Sequence, residues 1–252
     1  MSDWKDTQGT RPGFGTTPHV GGAVDARADY DEGLRSYMLS IYNYMASGVL
    51  LTGIVAILFS WGGMESPAAW LAINGGLLFW LVKLSPLAFI LAMSFGLHKM
   101  SQTTLQIVFW AFATVMGMSL STIFLVYTGQ SIATTFFATA GAFAGLSLWG
   151  YTTKKDISGW GSFLIMGVIG LIIASVVNIF LQSEAMAFVI SGIGVLVFAG
   201  LTAYDTQRLK QQYQYLVGTD FMGKAVIMGA TNLYLDFVNM FMFLLQFLGS
   251  RE

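Results

Sequence analysis

The stretch 225-AVIMGATNLYLDFVNMFMFLLQFL-248 decides the fold. At about 1.5 Å per residue it is long enough to cross, as a helix, a hydrocarbon core roughly 30 Å thick. Its one charge, Asp236, stands in the middle. An ionised carboxylate at that depth costs roughly 3 kcal/mol on insertion scales and more in simulations. Such a residue is paired, faces protein, or takes part in moving or sensing ions. A second aspartate, Asp205, follows directly on another apolar run, Ala185–Tyr204.

Composition agrees with a bilayer. The chain has 252 residues, 55% hydrophobic and 10% charged, with a mean hydropathy of +0.67. An ordinary soluble domain carries about 25% charged residues, so this one has too little charge to cover a water-facing surface. It therefore reads as an integral membrane protein. The net charge of −1 gives no basic patch for nucleic acid. The absence of Cys excludes disulfides, thiolate metal sites and thiol catalysis.

Working outward, seven apolar runs fall near Met38–Ser60, Leu71–Leu97, Thr104–Tyr127, Ile132–Tyr151, Gly161–Leu181, Ala185–Tyr204 and Ala225–Leu248. All seven must be helices, because isolated strands leave backbone groups unpaired in lipid. Lys83, Ser85 and Pro86 interrupt the second run, so its membrane part is expected to begin near Leu84. With the N-terminus in the cytoplasm, the inner segments hold Lys5, Arg11, Arg27, Arg35, Lys99, Lys154, Lys155, Arg208, Lys210 and Lys224. The outer loops hold Glu65 and Glu184 but no Lys or Arg, and only Arg251 runs against the trend. Trp61, Trp70, Trp149 and Trp160 stand at expected span ends, as interfacial anchors do. The pair Gly141 and Gly145, and Gly192, Gly194 and Gly200, read as close-packing positions between helices.

Residues 1–35 form a polar tail rich in Gly and Pro, with no long apolar run; disorder is expected there, and a membrane domain over 36–252. No enzyme activity and no cofactor are expected. Serines lie in the spans, but neither His19 nor His98 is deep in one, so a Ser–His dyad has no base. Asp205 and Asp236 approximate the carboxylates of an intramembrane aspartyl protease, but without flanking motifs of that class. No nucleotide-binding glycine loop is present, which argues against primary active transport.

The sixth and seventh runs carry the candidate site. Asp205 stands where apolar sequence gives way to a basic loop, with Arg208 three residues on. Asn232 and Asn239 share a helix face with Asp236. Each aspartate is either satisfied locally, by Arg208 and by Asn232 or Asn239, or the two meet across antiparallel helices. Two carboxyl groups in contact in low dielectric hold one shared proton as a unit. That makes a proton-sensitive latch.

The elements Gly200-Leu201-Thr202-Ala203-Tyr204-Asp205-Thr206-Gln207 and Leu233-Tyr234-Leu235-Asp236-Phe237-Val238-Asn239 resemble the signature of the transmembrane Bax inhibitor motif family, the Bax inhibitor-1-like proteins, in its bacterial branch. The resemblance covers about residues 35–250, including the seven-run pattern and the basic loop Tyr151–Gly159. It implies an all-α fold in which six helices surround a central C-terminal helix. It also implies a pH-sensitive calcium leak of the inner (cytoplasmic) membrane, gated by a di-aspartyl sensor at Asp205 and Asp236. The family's latching basic residue from the second span falls here to Lys99 or His98, and Lys lacks a guanidinium's forked donors. Two acids are too few for a tight calcium site of six to eight oxygens, so any Ca²⁺ at Asp205 and Asp236 is transient. A rival role is implied as well: a regulator that binds a membrane AAA protease through its tail or loops and transports nothing.

Overall fold

A computed structural model of the chain describes the backbone of residues 20–251 and the side chains of residues 28–251. The expected tail therefore falls outside the described residues up to position 19, and from Val20 the backbone is helical. The chain divides into two compact units, residues 1–36 and 37–252.

Eight α-helices are described: α1 (Val20–Ser60), α2 (Pro67–Asn74), α3 (Leu77–Gly96), α4 (Gln102–Leu120), α5 (Gly129–Thr152), α6 (Trp160–Leu181), α7 (Glu184–Leu216) and α8 (Met222–Leu248). Seven of them, all but α2, are long and apolar enough to cross a membrane. The fold is that of an all-α integral membrane protein. Four helices start on a hydroxyl cap: Ser66, Ser101, Thr128 and Ser183 accept from the amides of Ala69, Thr104, Ser131 and Met186. Each satisfies one of the donors a helix start leaves without an intrahelical partner.

The second run departs from expectation. It does not begin near Leu84, because Pro86 lies inside α3 without ending it. A proline removes the N–H that would bond the carbonyl four residues back. Here that carbonyl, of Val82, accepts instead from the Ser85 hydroxyl at 2.8 Å. The true break is at Gly75–Gly76, where Gly76 takes φ +46 and separates α2 from α3. Lys83, inside α3, donates to the Ser119 carbonyl (2.6 Å) and to Thr122 (2.8 Å), where α4 tightens into the 3-10 turn Ser121–Leu125. An ammonium within a span thereby meets the free carbonyl end of a neighbouring helix.

The C-terminal helix is the central one: 61% of its apolar window is buried, against 11% for α3 and for α6. Four helices line it. Tyr234 bonds Thr52 of α1 at 2.6 Å and packs edge-on against Phe112 of α4. Phe237 packs edge-on against Phe136 and Phe143 of α5. Helix α7 runs antiparallel along its remaining face. The other two spans form an outer layer, α3 chiefly on α4 and α6 chiefly on α7. Gly194 and Gly200 serve close packing as expected, against Phe243 and Leu164. Gly141 and Gly145 do not: a Cβ at either meets nothing within 4 Å, so that face of α5 points away from the bundle.

Candidate functional site

Helix α7 does not stop at Asp205. It continues for about three turns to Leu216. Thr206, Gln207, Leu209 and Tyr213 are buried on it, which gives the polar continuation an inward face. Leu209 packs where a Cβ on Gly229 of α8 would go, and Gly194 likewise meets Phe243. These contacts set the level of one helix against the other and leave Asp205 and Asp236 about one turn apart along the axis. Side chains tilt toward the N-terminus of their own helix, and antiparallel helices therefore tilt theirs toward each other. The two carboxyl groups close that offset and come within hydrogen-bonding reach of each other.

A bond between two carboxyl groups needs a proton, since an ionised carboxylate only accepts. Asp236 is 4% exposed, and its Oδ2 has no hydrogen-bond partner. Asp205 is partly exposed. Of the charged groups, Arg208, one turn further along α7 and exposed, acts on Asp205 by attraction. The pair is thus asymmetric, with one sealed carboxyl and one within reach of water and a cation. Asn239 turns its amide to the Leu235 carbonyl at 2.8 Å rather than to Asp236. Asn232 is partly buried one turn before Asp236. Lys99 is exposed in the turn after α3, and the His98 ring stacks on Phe221 at 6.1 Å.

Several residues around the pair carried no assigned role in the sequence. The Gln207 amide clamps the α5–α6 loop: its Oε1 accepts from the Ile157 amide at 2.9 Å and its Nε2 donates to the Lys155 carbonyl at 2.8 Å. Lys210 donates to the Tyr151 carbonyl at 2.7 Å and sits over the Tyr151 ring. Gly150 of α5 lies so close to the backbone of Ala203 that a Cβ would collide with its carbonyl. These contacts fix α7 against α5 and the loop that follows it, within one or two turns of Asp205. Among the described residues, no group of three or more His, Cys, Asp or Glu is placed to hold a metal ion.

Fold and site together define a seven-span helical membrane protein with two aspartates facing each other between its last two spans. The chain belongs to the Bax inhibitor-1 family: a family model described as "Inhibitor of apoptosis-promoting Bax1" matches residues 34–252. Its relatives include the uncharacterised protein RP147 of Rickettsia prowazekii, 48% identical over 88% of this chain and 93% of that one. An uncharacterised protein of Caulobacter vibrioides is 46% identical over 90% and 94% of the two chains. The inner membrane protein YbhL of Escherichia coli is 43% identical over 87% and 94%.

Proposed function

We propose that this protein is a cation leak of the cytoplasmic membrane, with calcium as its substrate, and that the proton shared by Asp205 and Asp236 controls it. The carrying observation is the close approach of the Asp205 and Asp236 carboxyl groups between α7 and α8, with Asp236 buried. Protonated, the pair ties the two helices together. When the proton leaves, two negative charges remain in contact in a medium where water screens them poorly, and repulsion favours separating the helices. The exposed flank of Asp205 gives that proton a way out.

The same pair suits a hard cation chemically, since carboxylate oxygens are its preferred ligands. Two carboxylates coordinate weakly, and a leak needs weak, brief coordination. The orientation that fits has the ends carrying Lys99, Lys154, Lys155, Arg208, Lys210 and Lys224 in the cytoplasm. Purified protein in liposomes loaded with a calcium dye tests the proposal. A calcium signal that follows pH, and that is flattened in Asp236→Asn, is the expected result; no flux above that of empty liposomes at any pH overturns it. The competing protease-regulator role is separated by deleting residues 1–19, which leaves a leak intact and abolishes binding through the tail.

A further inference from the structure

Between the carboxyl pair and the opposite end of α7, the facing residues come in a fixed order. At the far end, a cavity of about 540 Å³ opens among α6, α7 and α8, lined by Asn178, Glu184, Ser191, Gln246 and Arg251 among others. Its floor is Ser191, 1% exposed, whose hydroxyl lies 2.7 Å from the Ala187 carbonyl and 3.2 Å from Gln246 Oε1. Directly beneath, the polar lining ends. The Phe243 ring fills the place of the Cβ that Gly194 lacks, with ring atoms 2.5 to 2.6 Å from that position. Phe198 stacks on Phe243 with centroids 5.8 Å apart and planes 26° apart. Thr202, fully buried, and then Asp205 follow on the same face of α7. From Ser191 to Asp205 is about 21 Å of helix.

We infer that Phe198 and Phe243, seated on Gly194, form an apolar gate that closes the polar cavity off from the aspartate pair. This rests on the leak reading for its purpose, though not for its geometry. An apolar constriction of this kind blocks ions by excluding the water that would hydrate them, so it holds without any charge of its own. Asn178, Gln246 and Ser191 make the cavity a hydrated vestibule, in whose lining the Glu184 carboxylate balances the Arg251 guanidinium. The pair opens toward the basic end, where Asp205 is partly exposed, and the gate shuts the other. Conduction needs both to yield. Separation of α7 from α8 at the pair withdraws the Phe243 ring from the Gly194 slot, since both contacts join the same two helices.

The absence of cysteine makes accessibility a direct test. Single cysteines replace Gln182 to define the face, Gln246 above the gate and Thr202 below it, and a membrane-impermeant thiol reagent is applied from each side. Gln182→Cys and Gln246→Cys should react from the same side, and Thr202→Cys should not. Adding Phe243→Ala should speed the Thr202→Cys reaction from that side at least tenfold while leaving the Gln246→Cys rate unchanged. Phe198→Ala removes the other ring and should do the same, which covers a Phe243 variant that fails to fold. Thr202→Cys reacting equally fast with both rings present, or remaining unreactive when either is removed, overturns the gate. Calcium-dye flux in the same variants keeps the two proposals apart. Opened labelling with no flux at any pH from about 5 to 8 sustains the gate and sinks the leak, whereas wild-type flux with unchanged labelling sinks the gate alone.

Discussion

The Asp236 carboxyl faces that of Asp205 within hydrogen-bonding reach, yet Asp236 is 4% exposed while Asp205 is only half-buried. An asparagine at 236 keeps a donor toward Asp205 and removes the charge. Asp236→Asn should therefore fold normally and melt in detergent at neutral pH no lower than the parent protein. Asp236→Ala loses the bond and opens a void, and should cost about 1–3 kcal/mol. A thermal-shift comparison of the two variants decides; equal destabilisation in both would show that the bond contributes nothing.

Two glycines of α5 make an opposed pair. Gly150 lies against the Ala203 backbone, where a methyl group has no room, while Gly141 has open space. Gly150→Ala should destabilise the protein by on the order of 1–3 kcal/mol by pushing α5 off α7. Gly141→Ala should be neutral, or stabilising by up to about 1 kcal/mol through helix propensity. Melting temperatures of the two variants check this, and a reversed order would mean that the helices meet elsewhere.

The Gln207 clamp gives a residue-level observable. Ile157 is buried, and its amide bonds Gln207 Oε1. In Gln207→Ala that donor loses its partner and the loop loses both tethers, so amide exchange at Ile157 should speed up at least tenfold, or about 1.4 kcal/mol. Unchanged protection would show that the loop is held without Gln207.

Much of this was legible along the chain, because the bilayer imposes local rules. Length and apolarity located all seven spans, and the charge change at Asp205 together with the lone charge at Asp236 located the pair. What was not legible depends on partners far off in sequence. Pro86 reads as a breaker until the Ser85 hydroxyl is seen to bond the Val82 carbonyl. The turns beyond Asp205 look like loop until Gln207 and Leu209 are seen buried. Gly141 and Gly145 satisfy a packing motif that the chain itself does not use, whereas Gly150, outside any motif, lets α5 meet the Ala203 backbone of α7 directly. Asn239 shares a face with Asp236 but spends its amide on its own helix.

Asp156, in the loop between α5 and α6, provides a control for pH. The Ser158 hydroxyl and amide hold its carboxyl below the usual carboxylate range. A lowered value contributes stability that is present above the unfolded-state value and lost only as pH falls through the folded one. Nothing at Asp156 therefore changes between about pH 5 and 8. Ser158→Ala should leave the pH profile of calcium flux unmoved; a shifted profile would place the sensor in the loop.

The most direct test of the shared proton is a double-mutant cycle on calcium flux in dye-loaded liposomes, with Asp205→Asn, Asp236→Asn and both together, across about pH 5 to 8. Flux in the parent protein should rise as the pair loses its proton, each single substitution should flatten that rise, and the double variant should add little to either. Additive effects of the two substitutions, or an unchanged pH profile in both single variants, would contradict a proton held in common by Asp205 and Asp236.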